Sequence, residues 1–352
     1  MSLRKGLILF ILFAFAGNAY ILGKSVDQNT IRSILLADKR YLLAALGLVF
    51  AMWLCDAWRF YALTRAAHER LSFKWGIILT WLHYFGCAVT PMQSGGGPFQ
   101  VYVLYKKGIS VGKGIAITLV RTMLTVLILT LFVPVALLID PGIMRNIFLK
   151  GVITYVFVVI ICTWFLIGYT LVCPKSVKRC GKVVLIWMNK WKFLRKNKLK
   201  GSFQWLDREM DNYSMNFKLA FSSGIFYLMA AVVLSVLHLL CMFSILPILM
   251  HSVNLSYNFL QTLAIQAIFT FLLYFIPTPG ASGVAEGGGA FLFATLMPQH
   301  MAGIMAFVWR VFTEYISIFM GVVVVVRLLG WGVTEDLHKG VAPEKEAAHL
   351  TN

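Results

Sequence analysis

The chain has 352 residues, of which 59% are hydrophobic and only 13% are charged. This composition excludes a soluble globular domain, in which about half of the residues are apolar and about a quarter are charged, and the 27 Phe and 10 Trp exclude a disordered chain. The net charge of +18 fits a protein at an anionic membrane surface, and because no nucleic-acid-binding motif accompanies it, we expect no nucleic-acid partner.

Eight nearly uncharged stretches are each long enough to cross a membrane. In chain order they are residues 7–23, 42–63, 76–105, 114–139, 151–172, 219–249, 257–297 and 303–326. Six of them predict ordinary transmembrane helices. The other two, 76–105 and 257–297, contain proline and a glycine cluster, which would break a continuous helix. These two stretches therefore predict helical hairpins that turn back inside the membrane.

Lysine and arginine in the connecting loops predict the orientation, because short cytoplasmic loops are basic. The linker at 173–218 carries ten of these residues between positions 173 and 200, whereas 250–256 and 298–302 carry none. Basic residues also flank the first hairpin on both sides. The first hairpin is thus expected to enter from the cytoplasm and the second from outside, an arrangement typical of an inverted repeat.

Both hairpins contain the motif T-P-x-x-S-G, at residues 90–95 and 278–283, and each also contains a glycine triplet. The helix after each hairpin carries one arginine, Arg121 or Arg310, at nearly the same distance from the proline of the motif. The matched features predict a first repeat at about 76–139 and a second at about 257–326.

The predicted fold is an all-α polytopic membrane protein with about six full transmembrane helices and two oppositely oriented re-entrant hairpins. We expect one transmembrane domain over residues 1–332 and a polar tail over 333–352, with both termini cytoplasmic, in the cell membrane of a bacterium. The six cysteines form no CxxC pair, so we expect no disulfide, no metal site and no cofactor. The oligomeric state stays open.

Four ionisable residues in the spans are candidate substrate-binding groups, because charge is costly at membrane depth. They are Arg121, Glu286, Arg310 and Glu314. Arg310 and Glu314 share a helix face, so a simple internal pair is the alternative to ligand binding. Arg121 is the better candidate for phosphate, with Glu286, Asp56 or backbone carbonyls as alternative partners. Glu286 can pair with either arginine or carry a proton during transport.

The hairpin turns form a second candidate anion site, because glycine lets backbone N–H groups approach a ligand closely. The alternative is that the glycines only permit close helix packing. The candidate residues are Pro91, Gln93, Ser94, Gly95, Gly96, Gly97 and Gln100 in the first hairpin, and Pro279, Gly280, Ser282 and Gly283 in the second.

The remaining polar groups of the spans are interpreted as structural. Asp56 and Arg59 are read as a pair at the membrane interface, near the cytoplasmic end of their helix. His83 and His238 have no partner at metal-ligand spacing and are read as core groups. Because no paired carboxylates or Ser-His-Asp arrangement appears, we predict no catalytic residues and no enzyme activity.

At these motifs the chain resembles the flippase-like membrane family of lysylphosphatidylglycerol synthase transmembrane regions. The matching stretches are 90–102, TPMQSGGGPFQVY, and 276–289, IPTPGASGVAEGGG, with the arginine-bearing helix after each. Many relatives have an acidic residue in the first motif, where this chain has 97–100, GPFQ. We therefore assign to the first hairpin no acidic functional residue of the kind that those relatives have. The full-length synthases append a soluble aminoacyl-transferase domain, which residues after 332 could not supply, so aminoacylation is not expected.

The resemblance implies a flippase-like protein that moves an anionic membrane lipid, either a phospholipid or a polyprenyl phosphate, between leaflets. Two alternatives of another class are an intramembrane lipid-linked transferase and a non-transporting regulator of envelope lipid enzymes.

Cysteine labelling tests the predicted topology. We expect Lys107→Cys to react with a membrane-impermeant maleimide only after cells are permeabilised, and His300→Cys to react in intact cells, because the two loops lie on opposite faces. Labelling of both positions from the same side would contradict the inverted repeat.

Overall fold

The computed structural model describes residues 37–139 and 224–329, with isolated positions within 8–23 and 151–165. Over these residues the regular elements are helices, and there is no strand. Four helices are long and apolar enough to cross a membrane: Lys39–Ala66, Val111–Phe132, Ile225–Ser252 and Gln299–Arg327. The prediction of an all-α membrane protein is confirmed at this level.

Several predicted segments lie outside the described residues. These segments are most of the spans at 7–23 and 151–172, the basic linker at 173–218 and the polar tail at 333–352. The isolated positions described between 151 and 165 are helical, and the indole of Trp164 donates a hydrogen bond to Thr130 at 3.1 Å.

The first half of the described chain folds into four helices. They are α1 (Lys39–Ala66), α2 (Phe73–Val89), α3 (Gly96–Lys106) and α4 (Val111–Ile139). α1 begins where the Asp38 carboxylate accepts a hydrogen bond from the backbone N–H of Arg40 at 2.9 Å. The turn between α3 and α4 contains Gly108 at φ 85°, a conformation that side chains disfavour.

The second half begins with α5 (Ile225–Ser252), α6 (Phe259–Leu273) and α7 (Val284–Phe293). It continues with α8 (Gln299–Arg310) and α9 (Ile316–Val324), which are joined by a π-helical turn at Val311–Tyr315 and followed by another at Val325–Leu329. Asn258 caps α6 by accepting a hydrogen bond from Gln261 N–H at 3.2 Å.

The two halves pack as partners of one another. α1 lies along α5, the helix in the same position of the second half. The first arm of one hairpin, α2, packs against α9, and the first arm of the other, α6, packs against α4. This reciprocal exchange is the contact pattern that a two-fold relation between repeats produces.

The turns of the two hairpins share a backbone conformation. Met92 and Gln93 adopt left-handed φ angles of 54° and 50°, and Gly280 and Ala281, at the equivalent positions, adopt 59° and 54°. Three of these four residues carry side chains, for which such angles are uncommon. The shared motif therefore encodes the same strained turn twice.

The two turns meet tip to tip. A short antiparallel bridge is centred on the two motif prolines. Met92 N–H donates to the Ile276 carbonyl and Gly280 N–H donates to the Cys87 carbonyl, both at 3.2 Å. Each turn thereby donates a hydrogen bond to a carbonyl group of the other hairpin. Because the helix is interrupted there, that carbonyl has no partner within its own helix.

The first glycine triplet contains glycines in two different environments. A Cβ atom on Gly95 would lie 2.6 Å from the carbonyl oxygen of Gly86, and one on Gly96 would lie 2.1 Å from Nδ1 of His83. A Cβ on Gly97 would meet nothing within 4 Å. Gly95 and Gly96 thus serve the close packing of α2 on α3, as the packing alternative predicted.

Alanine substitutions test the close contact between Gly86 and Gly95 against the open space at Gly97. Gly86→Ala would place a Cβ 2.7 Å from the Gly95 carbonyl, and we expect overpacking to cost about 1–3 kcal/mol of stability. Gly97→Ala is the matched control, and we expect it to leave the melting temperature in detergent unchanged or slightly higher. Equal melting temperatures for the two variants would contradict the close approach of α2 and α3.

Candidate functional site

A buried carboxylate joins α1 to α4. Arg121 donates to Asp56 in a two-pronged pair, from Nε to Oδ1 at 3.0 Å and from Nη2 to Oδ2 at 2.7 Å. Arg59 donates from Nε to Oδ1 at 2.9 Å and also pairs through Nη2. The Thr80 hydroxyl donates to Oδ2 at 2.9 Å. We call Asp56, Arg59 and Arg121 the basic cluster, because two guanidiniums and one carboxylate give it a formal charge of +1.

The two arginines differ in how fully they are paired. Arg59 Nη1 also donates to the hydroxyls of Thr125 at 2.9 Å and Ser235 at 3.1 Å. Among the described residues, none accepts a hydrogen bond from Nη1 of Arg121. Arg121 therefore retains an N–H group that a ligand can use.

The predicted pair of Asp56 and Arg59 is present, and it is buried inside the protein. The two side chains are 0% and 1% exposed, and Arg59 lies about two turns before the end of α1. Hydrogen bonds to Asp56, Thr125 and Ser235 allow the Arg59 guanidinium to stay buried. Asp56 is also the acidic partner of Arg121, one of the alternatives that the sequence left open.

The second half carries a cluster of the opposite sign. Arg310 Nη1 lies 2.6 Å from Glu314 Oε1, and its Nη2 lies 3.7 Å from Glu286 Oε1. Nη2 also donates to the Gly280 carbonyl at 3.0 Å, which links the arginine to the second turn. We call Glu286, Arg310 and Glu314 the acidic cluster, because two carboxylates and one guanidinium give it a formal charge of −1.

Glu286 has a structural role in this cluster. Its Oε2 accepts from the backbone N–H of Gly283 and its Oε1 accepts from the Tyr315 hydroxyl, both at 2.6 Å. A carboxylate at the N-terminus of α7 is stabilised by the unpaired N–H groups of that helix. Of the two partners that the sequence allowed, Glu286 contacts Arg310.

A cavity of about 80 Å³ lies between the clusters at the tips of the hairpins. This volume holds several water molecules or a small charged group. Arg59 and Arg121 of the basic cluster and Glu314 of the acidic cluster line it, and Gln93 and Gly280 line it from the two turns.

Two further lining residues carry buried polar atoms that have no hydrogen-bond partner among the described residues. They are Nε1 of Trp309, whose side chain is 2% exposed, and Oγ1 of Thr270. A buried donor or acceptor that is left unpaired costs free energy. A water molecule or a ligand in the cavity would supply a partner for these atoms. The other polar lining residues are His83, Tyr84, Cys87, Thr122, Thr125, His238, Tyr274 and Thr313.

The structure brings four of the predicted site residues to the cavity: Gln93, Arg121, Gly280 and Glu314. Arg310 and Glu286 lie behind Glu314 and contact one another. The other candidates do not line the cavity. They are Pro91, Ser94, Gly95, Gly96, Gly97, Gln100, Pro279, Ser282 and Gly283.

Most of the displaced candidates have another partner. Ser94 is exposed and its hydroxyl donates to the Pro91 carbonyl at 2.9 Å. Gln100 is buried and donates to the Leu79 carbonyl at 3.1 Å, so it joins α3 to α2. The Ser282 hydroxyl is 1% exposed and has no partner among the described residues. The same residues also include no group of three or more His, Cys, Asp or Glu side chains that could hold a metal.

Several residues that line the cavity were not among the candidates predicted from the sequence. Arg59, which the sequence assigned only to a structural pair with Asp56, could have been found, because a charge inside the apolar stretch 42–63 is a candidate functional group. His83, His238 and Trp309 lie on apolar helices at positions that local pattern does not distinguish from core positions.

Comparison with known proteins places the chain among membrane proteins. The model of the family described as the lysylphosphatidylglycerol synthase TM region matches residues 5–321. A UPF0104 membrane protein of Archaeoglobus fulgidus is 25% identical over 316 residues, which cover 89% of this chain and 94% of the relative. The match includes both hairpins and both clusters, and it confirms the resemblance carried by the hairpin motifs.

Neutralising Asp56 tests the basic cluster. We expect Asp56→Asn to reduce stability by about 3–5 kcal/mol, because two buried guanidiniums lose their shared carboxylate. Glu69→Gln is the control, since Glu69 pairs with Lys113 at a site where both side chains are about a quarter exposed, and such pairs contribute at most about 1 kcal/mol. Thermal unfolding in detergent measures the stability of both variants. Similar melting temperatures for the two variants would contradict a carboxylate shared by Arg59 and Arg121.

Proposed function

The chain belongs to the family of lysylphosphatidylglycerol synthase transmembrane regions, and we propose that it moves a lipid with an anionic head group between the leaflets of the cell membrane. The observation that carries the proposal is that Arg121 lines the buried cavity and that its Nη1 has no acceptor among the described residues. In the proposed mechanism this N–H group binds a phosphate oxygen of the head group.

The charge of the basic cluster supports a phosphate ligand. Asp56 neutralises one of the two guanidiniums, so one positive charge of the basic cluster has no acidic partner among the described residues. An isolated buried charge is costly, and an anion next to it removes most of that cost. A guanidinium also matches the geometry of phosphate oxygens and binds them by charge-assisted hydrogen bonds.

The contact between the turns supports a site near the middle of the membrane. In the proposed arrangement the α2–α3 hairpin enters from the cytoplasm and the α6–α7 hairpin from outside. This orientation rests on the basic residues Lys106, Lys107 and Lys113 around the first hairpin and on their absence from the loops around the second. Each hairpin then separates the cavity from one face, so that alternate separation of the tips would expose the head group first to one leaflet and then to the other.

The size of the cavity limits what enters it. A volume of about 80 Å³ fits a head group or part of one. We infer that the chains remain in the bilayer while only the head group crosses between the helices. The proposed activity is transport, with no chemical change to the lipid.

A translocation assay tests this proposal. Purified protein is reconstituted into vesicles that contain phosphatidylglycerol labelled on an acyl chain, and the label in the outer leaflet is reduced chemically. We expect Arg121→Gln to slow translocation about ten- to a hundredfold, because a hydrogen bond to a charged group contributes about 1.5–3 kcal/mol. The variant should remain folded, since it leaves Asp56 paired with Arg59.

Arg70→Gln is the matched control, because Arg70 is exposed and lies outside the cavity. We expect it to translocate the lipid at the unsubstituted rate. A folded Arg121→Gln protein with an unchanged rate would contradict the anion site. If the translocation rate equals that of protein-free vesicles for every lipid tested, the proposed transport activity is contradicted.

A further inference from the structure

The basic and acidic clusters have formal charges that cancel. In the basic cluster one carboxylate serves two guanidiniums, which gives +1, and in the acidic cluster one guanidinium serves two carboxylates, which gives −1. Both clusters contribute side chains to the same cavity. An anion that binds at the basic cluster therefore leaves the two clusters with one net negative charge. Uncompensated charge is costly in a buried site, and a proton taken up by the acidic cluster removes it.

Glu286 is poorly placed to accept that proton. Its side chain is 1% exposed and does not line the cavity. Its Oε2 accepts a hydrogen bond from the Gly283 N–H and its Oε1 accepts one from the Tyr315 hydroxyl, both at 2.6 Å. These donors stabilise the ionised carboxylate, so a proton on either oxygen would have to displace one of them.

Glu314 differs from Glu286 in both respects. It lines the cavity and its side chain is 20% exposed. Its Oε1 lies 2.6 Å from Nη1 of Arg310, yet this nitrogen has no hydrogen bond of good geometry among the described residues. No donor in the described part of the chain forms a hydrogen bond to Oε2 of Glu314. This oxygen is therefore open to a proton.

The cavity provides a path by which a proton reaches Glu314. A volume of about 80 Å³ holds several water molecules, which can pass a proton along a chain of hydrogen bonds. Nε1 of Trp309 lines the cavity, is buried and has no partner among the described residues, so it provides a donor for one of these waters. Among the lining residues that the structure describes, Glu314 is the one with a carboxylate.

The other ionisable groups near Glu314 gain less from a proton. The charges that act on His83 and His238 are mainly those of the basic cluster, so protonating either histidine would add a third positive charge beside two guanidiniums. Phenol and thiol groups are already neutral. The groups that line the cavity with Glu314 or belong to its cluster are Arg59 of α1, His83, Tyr84 and Cys87 of α2, Arg121 of α4, His238 of α5, Tyr274 at the end of α6, and Glu286, Arg310 and Tyr315.

We propose that Glu314 binds a coupling proton, and that one proton crosses the membrane with each anionic head group in an electroneutral cycle. This inference rests on the proposed function and adds to it the gradient that drives transport. A cavity water delivers the proton to a carboxylate oxygen of Glu314, where an O–H bond forms. Arg310 then stays paired with Glu286, and the phosphate stays ionised beside Arg121. On the other face the O–H bond breaks and the proton returns to water as the phosphate leaves. The proton role that the sequence allowed for Glu286 thus belongs to Glu314.

A pH difference tests the coupling on the unsubstituted protein. Full-length protein is reconstituted into phosphatidylcholine vesicles that contain a trace of phosphatidylglycerol labelled on an acyl chain. The lumen is one pH unit more acidic than the medium, and valinomycin with equal K⁺ on both sides holds the membrane potential at zero. We expect the label to accumulate about tenfold in the outer leaflet, because protons and head groups leave the acidic side together.

A membrane potential provides the complementary measurement at equal pH. A K⁺ gradient with valinomycin imposes a potential of about 100 mV, which would redistribute an uncoupled anion roughly fiftyfold. We expect no redistribution of the labelled lipid, because a proton and an anionic head group that cross together carry no net charge.

Substitution at Glu314 locates the proton. Glu314→Gln resembles the protonated side chain and leaves Arg310 paired with Glu286, so we expect it to fold and to lose the accumulation driven by the pH difference. Glu314→Asp keeps a carboxylate and should retain the accumulation. Glu69→Gln is the matched control, because Glu69 pairs with Lys113 outside the cavity, and we expect full accumulation. If Glu314→Gln does not fold, the two gradient measurements on the unsubstituted protein still decide.

The outcomes separate this inference from the proposed function. Phosphatidylglycerol that crosses without responding to the pH difference, or that follows the membrane potential as an uncoupled anion does, would overturn the coupling proton and leave lipid transport standing. Accumulation that persists in a folded Glu314→Gln protein would overturn the assignment to Glu314. If the label crosses no faster than in protein-free vesicles, the proposed function and the inference are both contradicted.

Discussion

The architecture depends on one constraint, which is that backbone groups freed by a broken helix must find partners away from water. Two hairpins interrupt the bundle at proline, and each turn supplies part of what the other lacks through Met92, Ile276, Gly280 and Cys87. Arg310, at the end of α8, also holds the second turn by donating to the Gly280 carbonyl. The two halves therefore meet at the turns, and the cavity lies at the same place.

Equivalent backbones carry different electrostatics in the two halves. Both turns adopt the same left-handed conformation after proline, and both following helices carry a buried arginine. The carboxylates, however, come from unrelated positions, from α1 for Arg121 and from α7 and the π-helical turn for Arg310. The backbone of the two halves is thus repeated, whereas the charges around the two arginines are not. Such an asymmetric arrangement of charges suits an asymmetric ligand such as the proposed head group.

The π-helical turn at Val311–Tyr315 contributes to this difference. It directly follows Arg310 and contains both Glu314 and Tyr315, so the acidic cluster is built around a widened helical turn. Such turns occur frequently at functional sites, since they alter which side chains share a face. α4, the corresponding helix of the first half, has an α-helical backbone throughout Val111–Ile139.

The sequence alone determined the class of protein, the two interrupted segments and their relationship, because hydropathy, proline and glycine act locally and the motif T-P-x-x-S-G occurs twice. It also identified Arg121, Arg310, Glu286 and Glu314, since charge inside an apolar stretch is visible without a structure. Only the tertiary structure decided the partners: Asp56 is 65 residues from Arg121, and Trp309 and Thr270 reach the cavity from separate helices. Pairing and exposure depend on which helix faces meet, and that depends on packing between distant segments, which no local pattern records.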